Sequence, residues 1–291
     1  MHPFDSVRRK RLAEFASSRL NSDGGYSFSC PLHGFEFPSS VSETFYALSV
    51  LSLLGEEIPS KNRTLEYLRN IQRPEGTYDS ISAAFYAVQS LELLGKKPEN
   101  PSFIPQLRSV LREFRLFRES YGDKFFSADY DMAGSPFRLA YQASKTLHSL
   151  GEKISEEEVS WILPENEEGG FGQGRSDTIS TYHAVSALHC GNKTSGLKKT
   201  PAFISSCTTP GGGYSQASGC MPPYVESTCF AIATLNLLGV RQKEKRRNIN
   251  FLVSLQNADG GFRRSPYLGI STLCNSYFAI KALSMLEGDG D

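Results

Sequence analysis

One module recurs six times along the 291 residues, and an internal repeat narrows the possible folds more than any single motif does. Its core reads aromatic-x-Ala-x-x-x-Leu or a close variant, often followed by Leu-Gly. The copies are SETFYALSVLSLLG (42–55), SAAFYAVQSLELLG (82–95), RLAYQASKTLHSLG (138–151), ISTYHAVSALHCG (179–191), ESTCFAIATLNLLG (226–239) and CNSYFAIKALSMLEG (274–288). The shared alanines are Ala47, Ala87, Ala143, Ala184, Ala231 and Ala279, each with a leucine four residues later. They lie on average about 46 residues apart, the spacing of a repeated supersecondary unit. Six units occupy almost the whole sequence, so the expectation is a single domain over 1–291.

Each unit holds two helices. The shared segment is apolar nearly all round, as a helix covered on most sides must be. Gly55, Gly95, Gly151 and Gly239 close four of these helices in the manner of C-caps. The partner helix is charged and amphipathic, over 6–20, 60–72, 102–117, 155–163, 200–207 and 242–256. It should lie outside with its charges in water. Between partner and shared helix come short turns such as Asp23-Gly24-Gly25-Tyr26, Glu168-Gly169-Gly170-Phe171 and Asp259-Gly260-Gly261-Phe262, with Lys124-Phe125-Phe126 in the third unit. Glycine permits the tight reversal and the aromatic fills the gap between units. None of these turns has the GxGxxG or GxxxxGKS spacing of a phosphate cradle. Stacked hairpins form an open solenoid or a closed ring. An open array needs polar capping repeats, and the last shared helix is as apolar as the rest, so the expected architecture is closed: an all-α toroid of six inner and six outer helices.

Composition narrows the function. Thirty-one basic residues balance 31 acidic ones, which speaks against general nucleic-acid binding. No run approaches the roughly 18 apolar residues of a membrane span. The opening MHPFDSVRRKRLAEF has basic residues without an apolar stretch behind them, so no secretory signal is expected. Six scattered cysteines without a CxxC read as reduced thiols, and the expected location is the cytoplasm.

The Gly-Gly-aromatic turns, the aromatic-Ala helices and the run Leu255-Gln256-Asn257-Ala258-Asp259-Gly260-Gly261-Phe262 resemble the prenyltransferase and squalene-cyclase repeat family over residues 10–288. The resemblance implies an α/α toroid of six helix pairs around an apolar, aromatic funnel. It further implies that the N-terminal ends of the inner helices face the funnel mouth, where an isoprenoid or a lipidated peptide is handled. In protein prenyltransferase β subunits the resemblance implies zinc, held by Asp-x-Cys at the fifth inner helix and His at the sixth. Here those places hold Tyr224-Val225-Glu226 and Asn275, and tyrosine and asparagine are poor zinc ligands. The family's diphosphate-binding histidine falls at Asp177, and its Arg-x-x-Lys around Ser218 and Met221. Arg138 matches an arginine that the family uses for a substrate carboxylate. In class II terpene cyclases the middle acid of Asp-x-Asp-Asp protonates an alkene, and Glu226 falls on its place, without the partner carboxylates. Asp129-Tyr130-Asp131 reads as solvated loop.

The residues themselves allow a structural reading beside each functional one. Glu226 is either a funnel acid or a first-turn carboxylate favoured by the helix dipole. Arg138 at a helix start is unfavourable unless an anion compensates it. Asp177 is most simply an N-cap residue. Cys274 opens the sixth inner helix in the layer of Glu226, but a third metal ligand is not evident and His183 lies a turn deeper. The candidate catalytic residue is therefore Glu226, and the candidate substrate-binding residues are Arg138, Asp177, Tyr224, Cys274 and Asn275; no metal and no cofactor is expected. The function expected is that of a divergent prenyltransferase or terpene-cyclase-type protein handling an isoprenoid or lipidic substrate without zinc. The alternative is a non-catalytic toroid scaffold binding a peptide or lipid. A carbohydrate-active toroid would need two facing carboxylates, for which only Glu226 and Asp177 are available. The expected partners are the lipidic molecule and a helical α-subunit-like protein.

Overall fold

The computed structural model describes residues 4–30, 35–121, 135–267 and 269–288. The Lys124-Phe125-Phe126 turn and Asp129-Tyr130-Asp131 lie outside them. Among the described residues there are twelve helices and only isolated β-bridges. Inner helices are α2 (Val41–Leu54), α4 (Ile81–Leu93), α6 (Pro136–Leu150), α8 (Thr178–Cys190), α10 (Val225–Leu237) and α12 (Leu273–Gly288). Outer helices are α1 (Ser6–Ser17), α3 (Lys61–Ile71), α5 (Ile104–Tyr121), α7 (Glu156–Ser160), α9 (Thr200–Ser206) and α11 (Lys245–Ser254). None is long and apolar enough to cross a membrane.

Each inner helix packs on the next, and α12 packs on α2, so the array closes into a toroid. Each outer helix backs the inner helix that follows it. The six shared alanines are fully buried in this wall, and the leucines four residues on are at most 4% exposed. Five outer helices are shorter than the sequence pattern predicts, α11 by five residues, α7 by four, α1 by three, α3 by two and α9 by one. The α7 helix stops at Ser160 because Pro164 disfavours helical conformation at the residue before it, and α9 gives way at Cys207 to the Gly211-Gly212-Gly213 turn.

The turns lock neighbouring units together. Tyr26, Phe171, Tyr214 and Phe262 are each at most 3% exposed. Their backbone N–H groups donate to the hydroxyls of Thr44, Thr181, Thr228 and Ser276, three residues before the shared alanines. A small hydroxyl residue there satisfies a donor that burial would otherwise leave unpaired. At Gly212 (φ +89°) and Gly260 (φ +91°) an added Cβ would collide with the backbone of Arg247 and Arg11, so these turns need both the left-handed conformation and the missing side chain.

The Gly260 contact is the seam of the ring, because Arg11 belongs to the first outer helix. Gln256 explains the Q-x-x-x-G spacing: its Nε2 donates to Gly260 O (2.9 Å) and to Arg8 O (3.0 Å), while Arg8 Nη1 donates to Gln256 Oε1 (3.1 Å). Arg11 donates to Ala258 O, and Phe4 packs on Phe262 at 6.0 Å.

Candidate functional site

Apart from Cys229, which is buried in the wall, the two residues before each shared alanine line the central hollow. Because most of these are aromatic, the rings meet in a closed circuit drawn from all six helices. Phe45 contacts Phe85 (6.0 Å between centroids), then Tyr141 (5.4 Å), Tyr182 (5.4 Å), Phe230 (4.7 Å) and Phe278 (5.0 Å) follow in turn. Phe278 returns to Tyr46 (6.2 Å), and Tyr277 to Phe45 (5.3 Å). Such pairs add about 0.5–1.5 kcal/mol each beyond area burial, so the belt holds its shape without a ligand.

The belt separates two cavities, which share Phe45, Phe85, Tyr141, Tyr277 and Lys281 in their linings. On the N-terminal side of the inner helices a pocket of about 260 Å³ is walled mostly by the belt, with Arg138, Ile179, Glu226 and Cys274 in its rim. These four occupy one register, five residues before the shared alanine. On the C-terminal side lies a cavity of about 1060 Å³ with Gln89, Lys145, Ser186 and Lys281, all two residues after the alanine. The hollow is apolar at its waist and polar behind it.

Burial keeps the thiol, the phenols and the imidazole of the N-terminal pocket neutral. It pushes the Tyr277 hydroxyl and the Cys274 thiol up to about 12 and raises Tyr46 and Tyr141 as well. Burial also lowers His183 to about 3, aided by the charges of Arg138 and Lys281, so its imidazole is neutral. His183 Nδ1 and Glu226 Oε2 are buried without a hydrogen-bond partner, and both residues line this pocket. Buried polar atoms are almost always satisfied, so two orphans in one pocket leave room for a ligand that carries a polar group.

Of the sequence candidates, Arg138, Glu226 and Cys274 converge in the rim. Arg138 is exposed and forms no ion pair among the described residues. Glu226, 13% exposed, is clamped by Arg264, whose Nε and Nη2 donate to Oε1 at 2.6 and 2.5 Å. Arg264 comes from the turn of the sixth unit and also covers the Tyr224 ring at 4.2 Å; nothing in the local motif signals it. Tyr224, Asn275 and Asp177 are not in the pocket lining. Asp177 is the N-cap of α8, accepting from the N–H groups of Ile179 and Ser180 at 2.9 and 2.8 Å. Burial raises its carboxyl above the usual range, against those two amide bonds. Among the described residues no three His, Cys, Asp or Glu side chains gather as a metal site.

Comparison with known proteins places this geometry. A search of curated proteins finds no match. Three solved structures are similar in fold. Protein geranylgeranyltransferase-I from Candida albicans, complexed with GGPP, aligns with a TM-score of 0.69 at 15% identity, covering 97% of this chain and 92% of that one. A protein from Actinoplanes aligns at 0.60 and 14% identity, with 96% and 98% covered. The type II terpene cyclase MstE from Scytonema aligns at 0.58 and 14% identity, with 97% of each chain covered. The sequence profile of the prenyltransferase alpha-alpha toroid domain matches residues 1–83, 78–222 and 224–291. With that match across its length and its ring of six helix pairs, the chain belongs to the prenyltransferase α/α-toroid family.

Proposed function

We propose that the toroid binds an isoprenoid or similar lipidic chain against the aromatic belt, with the polar end of that chain at Arg138. The observation that carries this reading is the closed belt over a small pocket that has Arg138, without an ion pair among the described residues, at its rim. The geranylgeranyl diphosphate complex named above is of a protein with the same fold.

Binding is better supported than acid-initiated cyclisation. Protonating an alkene calls for a neutral carboxylic acid, and Glu226 is instead clamped by Arg264. A carbocation against the belt would also meet the ammonium of Lys281. Zinc fits poorly too, since Tyr224 lies under Arg264 and Asn275 stands where a zinc-binding histidine would be needed, and neither tyrosine nor asparagine is a good zinc ligand.

Titration with farnesyl and geranylgeranyl diphosphate tests the reading. Saturable binding is expected, weakened at least about tenfold by Phe230→Ala, a loss of about 1.4 kcal/mol. Arg138→Gln should weaken binding of the diphosphates and leave the matching alcohols unaffected. Absence of saturable binding refutes the proposal. If turnover is found, Glu226→Gln decides the acid role: a rate unchanged by the substitution rules it out.

A further inference from the structure

The cavity on the C-terminal side of the belt is the larger of the two, and its chemistry differs from the pocket above. Its volume of about 1060 Å³ reaches the upper end of the range of small-molecule sites. Three ammonium groups line it, those of Lys145, Lys153 and Lys281, and none forms an ion pair among the described residues. The one carboxylate in the lining, Glu152, is taken by Arg108 at 2.8 Å.

Lys281 is the deepest of the three. Its Nζ donates to the Tyr277 hydroxyl at 3.0 Å and sits over the Tyr277 and Tyr182 rings at 5.2 and 5.7 Å. Burial opposes its charge, while the Tyr277 hydroxyl oxygen and the faces of the Tyr277 and Tyr182 rings favour the protonated form without supplying a formal negative charge. A protonated amine taken out of bulk water is costly unless an opposite charge meets it. The carbonyl ends of the inner helices attract cations, but that attraction falls off within the last turn. It accounts for His148 near the end of α6 and His189 near the end of α8, and does not extend to Lys145 or Lys281, each more than one turn inside its helix. Gln89, Ser186 and Asn236 add uncharged hydrogen-bonding groups to the same walls.

We infer that this cavity is a binding site for a polar, multiply anionic small molecule, a phosphate ester or polycarboxylate, whose deepest oxyanion meets Lys281. The site lies across the belt from Arg138 and does not depend on the isoprenoid reading. The two sites put opposite demands on a ligand: an apolar body on one side, a hydrophilic and charged one on the other.

Calorimetric titration with inorganic diphosphate and with citrate, at low and moderate salt, tests the inference. Saturable binding of at least one is expected, and which of the two binds distinguishes phosphate from carboxylate chemistry. Lys281→Met should weaken that binding at least tenfold, Lys281→Arg should largely restore it, and Arg138→Gln should leave it unchanged. Without ligand, Lys281→Met should unfold at the same or a higher temperature than wild type, because it removes an uncompensated charge. The inference is overturned if neither anion binds, if Lys281→Met binds as wild type does, or if only Arg138→Gln abolishes binding. It is also overturned if ligand-free Lys281→Met is markedly less stable, which would mark the lysine as structural.

Discussion

Asp177 and His183 show how differently two polar residues on one helix relate to the pocket. Asp177 spends its carboxylate on the first turn of α8, as Ser40 and Ser80 do for α2 and α4. Asp177→Ala should therefore lower stability by about 1 kcal/mol, measured by urea denaturation, and leave lipid affinity as in wild type. A change in affinity at constant stability would return Asp177 to the binding site. His183 faces the pocket and is neutral, with its pKa lowered from 6.5 to about 3 by burial and by Arg138 and Lys281. Because the folded value lies below the unfolded one, the stability tied to the neutral form is complete above pH 6.5. It is lost progressively as pH falls from there toward 3. At pH 5 the loss should be about 2 kcal/mol relative to pH 8. His183→Gln should flatten that slope in thermal melts between pH 7 and pH 5, and an undiminished slope would assign the acid sensitivity to other groups. The sequence pointed to Arg138 and Glu226 through the family resemblance and to Cys274 through its place at the start of the sixth inner helix. It could not point to Arg264, which reaches Glu226 across 38 residues of chain. Lys281 and Lys145 were not singled out from the sequence, although both interrupt apolar inner helices two positions after the shared alanine.

Among elements, the turns do more than reverse the chain. Gly55 and Gly260 are both left-handed, at φ +75° and +91°, but an added Cβ meets nothing at Gly55 and meets the Arg11 backbone at Gly260. Gly55→Ala should cost only the conformational penalty of about 1–2 kcal/mol. Gly260→Ala should cost roughly 1–3 kcal/mol more, because the seam has to part to admit the methyl group. Equal losses in chemical denaturation would show that the turn does not rest on α1. The same turns explain the small residues of the inner helices. Thr44, Thr181, Thr228 and Ser276 are there for their hydroxyls as well as their size, whereas Ala84 holds the equivalent place in the second unit and Ala140 in the third.

For the molecule as a whole, closure makes the six units interdependent. In an open repeat array the loss of a terminal unit removes one interface and leaves the others. Here removal of α11 and α12 exposes α10 and α2 together, strips α1 of its seam and breaks the aromatic circuit at Phe278. A chain ending at residue 240 should lose cooperative unfolding altogether, rather than about a sixth of its helical circular-dichroism signal. A sharp transition with proportionate loss would show that the units stand alone. The same closure sets the aromatic belt, which requires all six inner helices to converge.

The sequence by itself determined the repeat, the pairing of a charged outer helix with an apolar inner one, and the turn chemistry, since periodicity, glycine conformation and capping act over a few residues. Ring closure was foreshadowed by the apolar last helix, but its seam of Gln256, Arg8 and Arg11 joins the two ends of the chain. Only the tertiary structure decided which face of each inner helix meets the axis, that Glu226 is held by Arg264, and that the hollow is divided by an aromatic waist into a small apolar pocket and a larger basic cavity. Those features depend on distances between residues far apart in sequence, where burial and unpaired charge are properties of the assembled ring and not of any one segment.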